Sequence, residues 1–108
     1  MSAALSLDDL SVPLRVLRLL TADFGHLPAP NVHVSPIYPN RLELSFHSGL
    51  PDFEAWREAL DVTPDAVTYT VQRDGRTQML RTVVDHAGTE LELIGYGDLC
   101  APVPVGAA

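Results

Sequence analysis

The feature that most constrains the fold is an Asp74-Gly75 turn between two segments of alternating apolar and polar residues. An Asp-Gly pair between such segments is a strong hairpin signal, because the tight turns that join two strands need left-handed backbone. Before the turn, Tyr69 and Val71 alternate with threonines. We therefore predict an antiparallel hairpin in which Val71 lies opposite Gln78.

A second turn, over residues 85–88, predicts a third strand in the same meander. This turn would set Val84 against Thr89 and would place Arg81 opposite Glu92, which is a favourable cross-strand pair. Strand alternation then sends one set of apolar side chains to the core face. That set comprises Val67, Tyr69, Val71, Leu80, Val84, Leu91 and Leu93.

The first half of the chain predicts two amphipathic helices, over residues 12–23 and 51–60. The second helix has Phe53, Trp56 and Leu60 on one face, where we expect them to anchor the core. Between the helices, two alternating segments predict a further hairpin. Pairing Val34 with Leu44, and Val32 with Phe46, puts its apolar residues on one face.

The elements therefore follow in the order α-β-β-α-β-β-β, which predicts an α+β fold with a mainly antiparallel five-stranded sheet. Because both helices are amphipathic, we expect both to pack on one face of that sheet. The length of 108 residues is that of one domain, which we place at residues 1–97. Residues 98–108 are rich in proline and small residues, and we expect an extended or flexible tail.

Composition argues against several classes of function. The net charge is −7, and all seven basic residues are scattered arginines, which disfavours direct nucleic-acid binding and attachment to an anionic membrane. The N-terminus turns acidic early, unlike a signal peptide, and no apolar run is long enough to span a bilayer. The single cysteine, Cys100, excludes an internal disulfide and a thiolate-rich zinc site, so we expect a cytoplasmic protein.

The residues that could carry chemistry form no recognisable catalytic motif. His33 and His47 share the outer face of the first hairpin and are a candidate polar site, and Glu43 could add an oxygen ligand. Two solvent-facing strand histidines explain the pattern better, so we expect no catalytic residue, cofactor or metal. Gly95-Tyr96-Gly97 follows a strand without a helix behind it, which indicates the end of a strand.

The most suggestive feature is the second face of the C-terminal meander, which is half apolar. Such a face is a common place for self-association or partner docking. Scattered apolar residues on a solvated sheet explain it equally well. The candidate interaction face consists of Met79, Arg81, Val83, Ile94 and Tyr96.

Two stretches, residues 27–41 with their Leu-Pro-Ala-Pro and Ile-Tyr-Pro-Asn-Arg segments, and residues 53–60, resemble other small proteins. Those proteins are uncharacterised and belong to high-GC actinobacteria, their phages or their mobile elements. The resemblance covers about a third of the chain and implies an accessory role, with no activity attached to it.

Three functions remain as hypotheses. The first is a non-enzymatic interaction or regulatory accessory module that acts as a homodimer or on a protein partner. The second is a small-ligand binder or minor enzyme with a pocket between helices and sheet, using Tyr69, Gln78 or the pair of His33 and His47. The third is an acidic inhibitor or immunity-type protein that blocks a basic surface.

Overall fold

The computed structural model describes residues 5–98, and the structural statements below concern that part of the chain. A 3-10 turn at Leu7–Leu10 leads into the first helix, and a second 3-10 turn at Pro64–Ala66 precedes the third strand. The helices are α1 (Ser11–Phe24) and α2 (Leu50–Ala59). The strands are β1 (Asn31–Ser35), β2 (Tyr38–Phe46), β3 (Thr68–Val71), β4 (Thr77–His86) and β5 (Thr89–Asp98).

The predicted α+β class and element order are confirmed, and the sheet has the strand order β1-β2-β5-β4-β3. It is mixed, because β2 and β5 run parallel while the other neighbours are antiparallel. Helix α2 causes this, since it carries the chain back to the end of the sheet where β2 begins. The predicted tail overlaps the structure only at Asp98, the last residue of β5, and otherwise lies outside the described residues.

Both helices pack on the same face of the sheet, over β2 and β5. Trp56 and Phe53 of α2 are buried there, as the sequence predicts, and the Trp56 indole N–H donates to the Pro28 carbonyl at 2.8 Å. That bond ties the link before β1 to α2 and satisfies a buried donor. The core comprises Val16, Leu20, Leu42, Leu44, Phe46, Phe53, Trp56, Leu91 and Leu93.

Two of the three predicted hairpin registers are wrong, each by two residues. Val32 of β1 lies opposite Leu44, not Phe46, because the chain turns at residues 36–37 and the pairing is irregular between His33 and Ser35. A shift of two residues leaves every side chain on its predicted face, which is why alternation alone does not detect it.

The last hairpin is shifted for a similar reason. Val84 lies opposite Leu91 instead of Thr89, because the turn contains only Ala87 and Gly88. Both have positive φ, 51° and 89°, which is the backbone of a two-residue hairpin turn. The hairpin at Asp74-Gly75, in contrast, has the predicted register, with Val71 opposite Gln78.

Gly95 and Gly97 lie inside β5 and do not mark its end, in contrast to the prediction. A Cβ atom on Gly95 would lie 2.7 Å from the Phe53 Cβ, and one on Gly97 would lie 2.8 Å from the Leu50 Cγ. Both glycines therefore allow α2 to approach the sheet closely.

We predict that Gly95→Ala lowers the free energy of unfolding by about 1–3 kcal/mol, because the added methyl group overpacks the core. Gly97→Ala should cost less, since Leu50 is only partly buried at the start of α2 and can rotate away. Urea unfolding of the two variants measures the difference. Equal losses would show that α2 moves as a whole and that Phe53 does not fix its position.

Candidate functional site

The structure brings the residues of the predicted interaction face together on adjacent strands. Met79 lies opposite Tyr96, and Arg81 lies opposite Ile94. Alternation from the core residues of β5 places these side chains on the sheet face away from the helices, which we call the outer face. Ile94 is only 8% exposed, whereas Val83 is 37% exposed.

A charge network that the sequence did not predict in full covers the centre of the outer face. Glu92, 5% exposed, lies between Arg81, which donates a hydrogen bond to it, and Arg41, whose Nη1 is 3.7 Å from its Oε1. Arg41 also pairs with Glu90 at 2.9 Å, and that hydrogen bond is the main cause that raises the pKa of Arg41. Only the parallel pairing of β2 with β5 brings Arg41 here.

Arg81 reaches Glu92 although the two are not directly opposite each other. Val83 holds the position opposite Glu92, and the ion pair runs diagonally along the sheet. The predicted contact therefore forms in a register that the sequence did not predict. Because Ile94 is nearly buried and Met79 and Tyr96 are only partly exposed, the outer face offers less apolar surface than the sequence indicates.

We predict that Glu92→Gln lowers the free energy of unfolding by about 1–2 kcal/mol, because it weakens charge-assisted hydrogen bonds to a buried carboxylate. Glu90→Gln is the matched control and should cost less than about 1 kcal/mol, since its side chain is half exposed. Thermal unfolding of both variants and the wild-type chain, at low and at high salt, measures the two losses of stability. If Glu92→Gln left the free energy of unfolding unchanged, the proposed role of Glu92 would be wrong.

The two histidines of the candidate polar site line different clefts. His47 stacks on Tyr96, with ring centroids 4.7 Å apart, and its Nε2 lies 3.3 Å from the Ser45 hydroxyl. His33 lies opposite Glu43 and lines a small cleft of about 200 Å³. Across residues 5–98, no three His, Cys, Asp or Glu side chains are grouped so that they could hold a metal ion.

The larger cleft, about 560 Å³, lies where β2 and β5 end, beside the start of α2 and the β3–β4 turn. We call it the strand-end cleft, and its lining includes His47, Ser48, Asp74, Arg76 and Tyr96. The Asp74 carboxylate accepts the backbone N–H groups of Arg76 and Thr77, at 2.8 and 2.9 Å, and the Thr77 hydroxyl. Asp74 therefore holds the turn in place.

We predict a pH dependence for this turn. The backbone N–H groups of Arg76 and Thr77 lower the pKa of Asp74. A carboxyl whose pKa is lower in the folded state stabilises the protein above its unfolded-state pKa, about 3.9, and this contribution disappears as the pH falls through the folded-state value. NMR titration of the Asp74 carboxyl carbon should show the lower pKa, and Thr77→Val should bring it closer to the ordinary value. An ordinary pKa in the unmodified protein would refute this.

Strand β3 ends the sheet, and its free side presents a different kind of surface, which we call the β3 edge (Thr68–Val71). All four residues are exposed, including Tyr69 at 54% and Val71 at 42%. The prediction that both side chains face a covered core is wrong, because the helices lie over β2 and β5, at least two strands away. The strand contains no charge and no proline, so of the usual protections of an edge it has only its short length of four residues.

The backbone of the β3 edge is also free to pair. The Gln72 N–H donates to the Thr77 carbonyl at 2.7 Å, so Gln72 directs its polar backbone groups toward β4. Because these groups alternate in direction along a strand, Tyr69 and Val71 direct their N–H and C=O groups toward solvent. Sequence alone could not identify this surface, because it does not tell which strand lies at the edge.

Comparison of the chain with protein-family models, curated proteins and solved structures finds no match. The resemblance to actinobacterial and phage proteins stays a prediction. Neither helix in residues 5–98 has the length and apolar character needed to cross a membrane.

Proposed function

We propose that this protein is a non-enzymatic interaction module that works as a homodimer, formed by strand addition at the β3 edge. The observation that carries the proposal is the β3 edge itself. Its apolar side chains and its backbone polar groups both face solvent, and no charge blocks the approach of another strand. Strand addition to such an edge is a recurrent mode of protein recognition.

The energetics favour association at this edge. Burying an exposed valine or aromatic side chain stabilises a complex by about 1.5–3 kcal/mol when burial is complete, and each new backbone hydrogen bond adds about 0.5–1.5 kcal/mol. Tyr69 and Val71 can contribute to both terms. The sum must exceed the translational and rotational free energy lost on association, so we expect a weak to moderate dimer.

The outer face ranks second as an interaction surface. Met79 and Tyr96 are only partly exposed, and the ion pairs of Glu92 occupy the centre of the face. Strand addition at the β3 edge would extend the sheet sideways and leave this face open, so a protein partner could still dock there. Such an arrangement fits the regulatory or accessory role that the sequence resemblance implies.

Two other hypotheses receive less support. An apolar cleft of about 400 Å³ does lie between α1 and the sheet, with Phe24, Val32 and Trp56 in its lining. It contains none of the polar residues that the ligand-binding hypothesis assigns, and Tyr69 lies exposed at the β3 edge instead.

An acidic inhibitor needs unneutralised carboxylates gathered on one surface. Glu54, Glu90 and Glu92 are each paired with an arginine. Other acids are distributed over different elements, such as Asp23 in α1, Asp52 in α2 and Asp85 in β4.

We predict that Val71→Pro abolishes the dimer while the fold remains. Proline removes an N–H that faces solvent, so the β3–β4 ladder keeps its hydrogen bonds, but an added strand loses a donor. Sedimentation of the wild-type chain over a range of concentrations should show a rise from one to two chain masses. The variant should remain at one chain mass throughout.

Val71→Thr is the matched control, because threonine keeps the N–H and the strand preference. It should dimerise, more weakly than wild type, and circular dichroism should show the same fold for all three proteins. A wild-type chain that stays monomeric at the highest concentration would overturn the proposed function, as would a Val71→Pro variant that dimerises normally.

A further inference from the structure

Building on the proposed function, we infer that the β3 edge of a second copy pairs antiparallel with the first, in a register centred on Tyr69. Two copies related by a two-fold axis must place the same surface on both sides of the interface. A regular ladder also requires that outward-facing backbone groups meet outward-facing groups. Tyr69 and Val71 must therefore lie opposite odd-numbered residues of the second copy, which puts the helices of both copies on one face.

Several registers satisfy this condition, and the two that keep both Tyr69 and Val71 opposite residues 67–71 of the second copy are centred on Tyr69 and on Thr70. The first, centred on Tyr69, sets Tyr69 against its own counterpart and Val71 against Val67 of the second copy. The second, centred on Thr70, sets Tyr69 against Val71 but Val67 against Arg73. The first register matches apolar residues throughout, so cross-strand pairing favours it.

The backbone of Val67 fits the Tyr69-centred register. Its φ of −101° and ψ of 130° are extended, so Val67 continues the direction of β3. Its N–H already donates to the Pro64 carbonyl at 3.1 Å, which leaves its own carbonyl to accept the Val71 N–H of the second copy. Tyr69 would exchange both of its backbone hydrogen bonds with its counterpart.

Charge complementarity gives a second, independent argument for a second copy. Asp65 and Arg73 lie four positions on either side of Tyr69, and both are exposed. Asp65 lies in the 3-10 turn before β3 and Arg73 in the turn after it, so a Tyr69-centred antiparallel pair brings the turn that carries Asp65 in each copy to the end of the interface where Arg73 of the other lies. Among the described residues, the ion pairs involve neither of them. In the Thr70-centred register Asp65 would instead lie near Gly75.

Cysteine cross-linking distinguishes the registers. In a Cys100→Ser background, Tyr69→Cys should form a disulfide dimer readily, because counterparts in a hydrogen-bonded pair have Cα atoms about 5.5 Å apart. Thr70→Cys is the matched control, since its counterpart would lie on a diagonal about 7–8 Å away. We expect cross-linking of Tyr69→Cys to be at least about tenfold faster.

A charge exchange tests the same register without altering the strand. Asp65→Arg alone, or Arg73→Asp alone, would place like charges together at both ends of the interface. Each should weaken the dimer by about five- to tenfold in 0.1 M salt. The double variant should restore the dissociation constant to within about twofold of wild type, because it places opposite charges together again across the interface. The two residues form no ion pair with each other within one chain, so such a restoration reports their contact between copies.

The outcomes separate this inference from the proposed function. A dimer that cross-links through Thr70→Cys faster than through Tyr69→Cys, or that the double exchange fails to restore, overturns the Tyr69-centred register and leaves the β3 edge as the interface. A wild-type chain that is monomeric at every concentration overturns both. Rapid cross-linking at Tyr69 together with restoration by the double exchange supports both.

Discussion

The packing of α1 and α2 on the parallel pair β2 and β5 determines the rest of the structure. Leu42 and Leu44 of β2 lie beside Leu91 and Leu93 of β5, and all four are fully buried under the helices. Phe53 can join them only because β5 has a glycine beneath it. Since two helices cover little more than two strands, the outer strands of the sheet extend beyond their cover, and the exposure of β3 is a direct consequence.

Alternation predicted which residues share a face, and it did so correctly even where the register was wrong. Both register errors were shifts of two, which exchange neighbours without turning any side chain over. The sequence could not determine which strands are adjacent. It therefore missed the contact of Arg41 with Glu90 and Glu92, which depends on a parallel pairing between segments about 50 positions apart.

The alternation of apolar and polar residues predicts which face of the sheet a side chain lies on, but it does not predict whether a helix covers that part of the face. Tyr69 and Val71 have the pattern of core residues, and they do lie on the helix side of the sheet, but no helix reaches them. The β3 edge is a candidate site because its apolar side chains lie on the helix side of the sheet and are nevertheless exposed. A sequence-based argument would have needed the strand order to find it, because only strand order shows that β3 is an edge.

The net charge of −7 opposes contact between copies of the chain. Repulsion between whole molecules is screened over about 8 Å at physiological salt, so local charges decide which surfaces can meet. The β3 edge is uncharged and has an acid before it and a base after it, in the order that a two-fold antiparallel pair makes complementary. In the proposed dimer, the acidic surface therefore discourages other contacts and leaves this one favourable, which adds selectivity to an edge whose other protection is its short length.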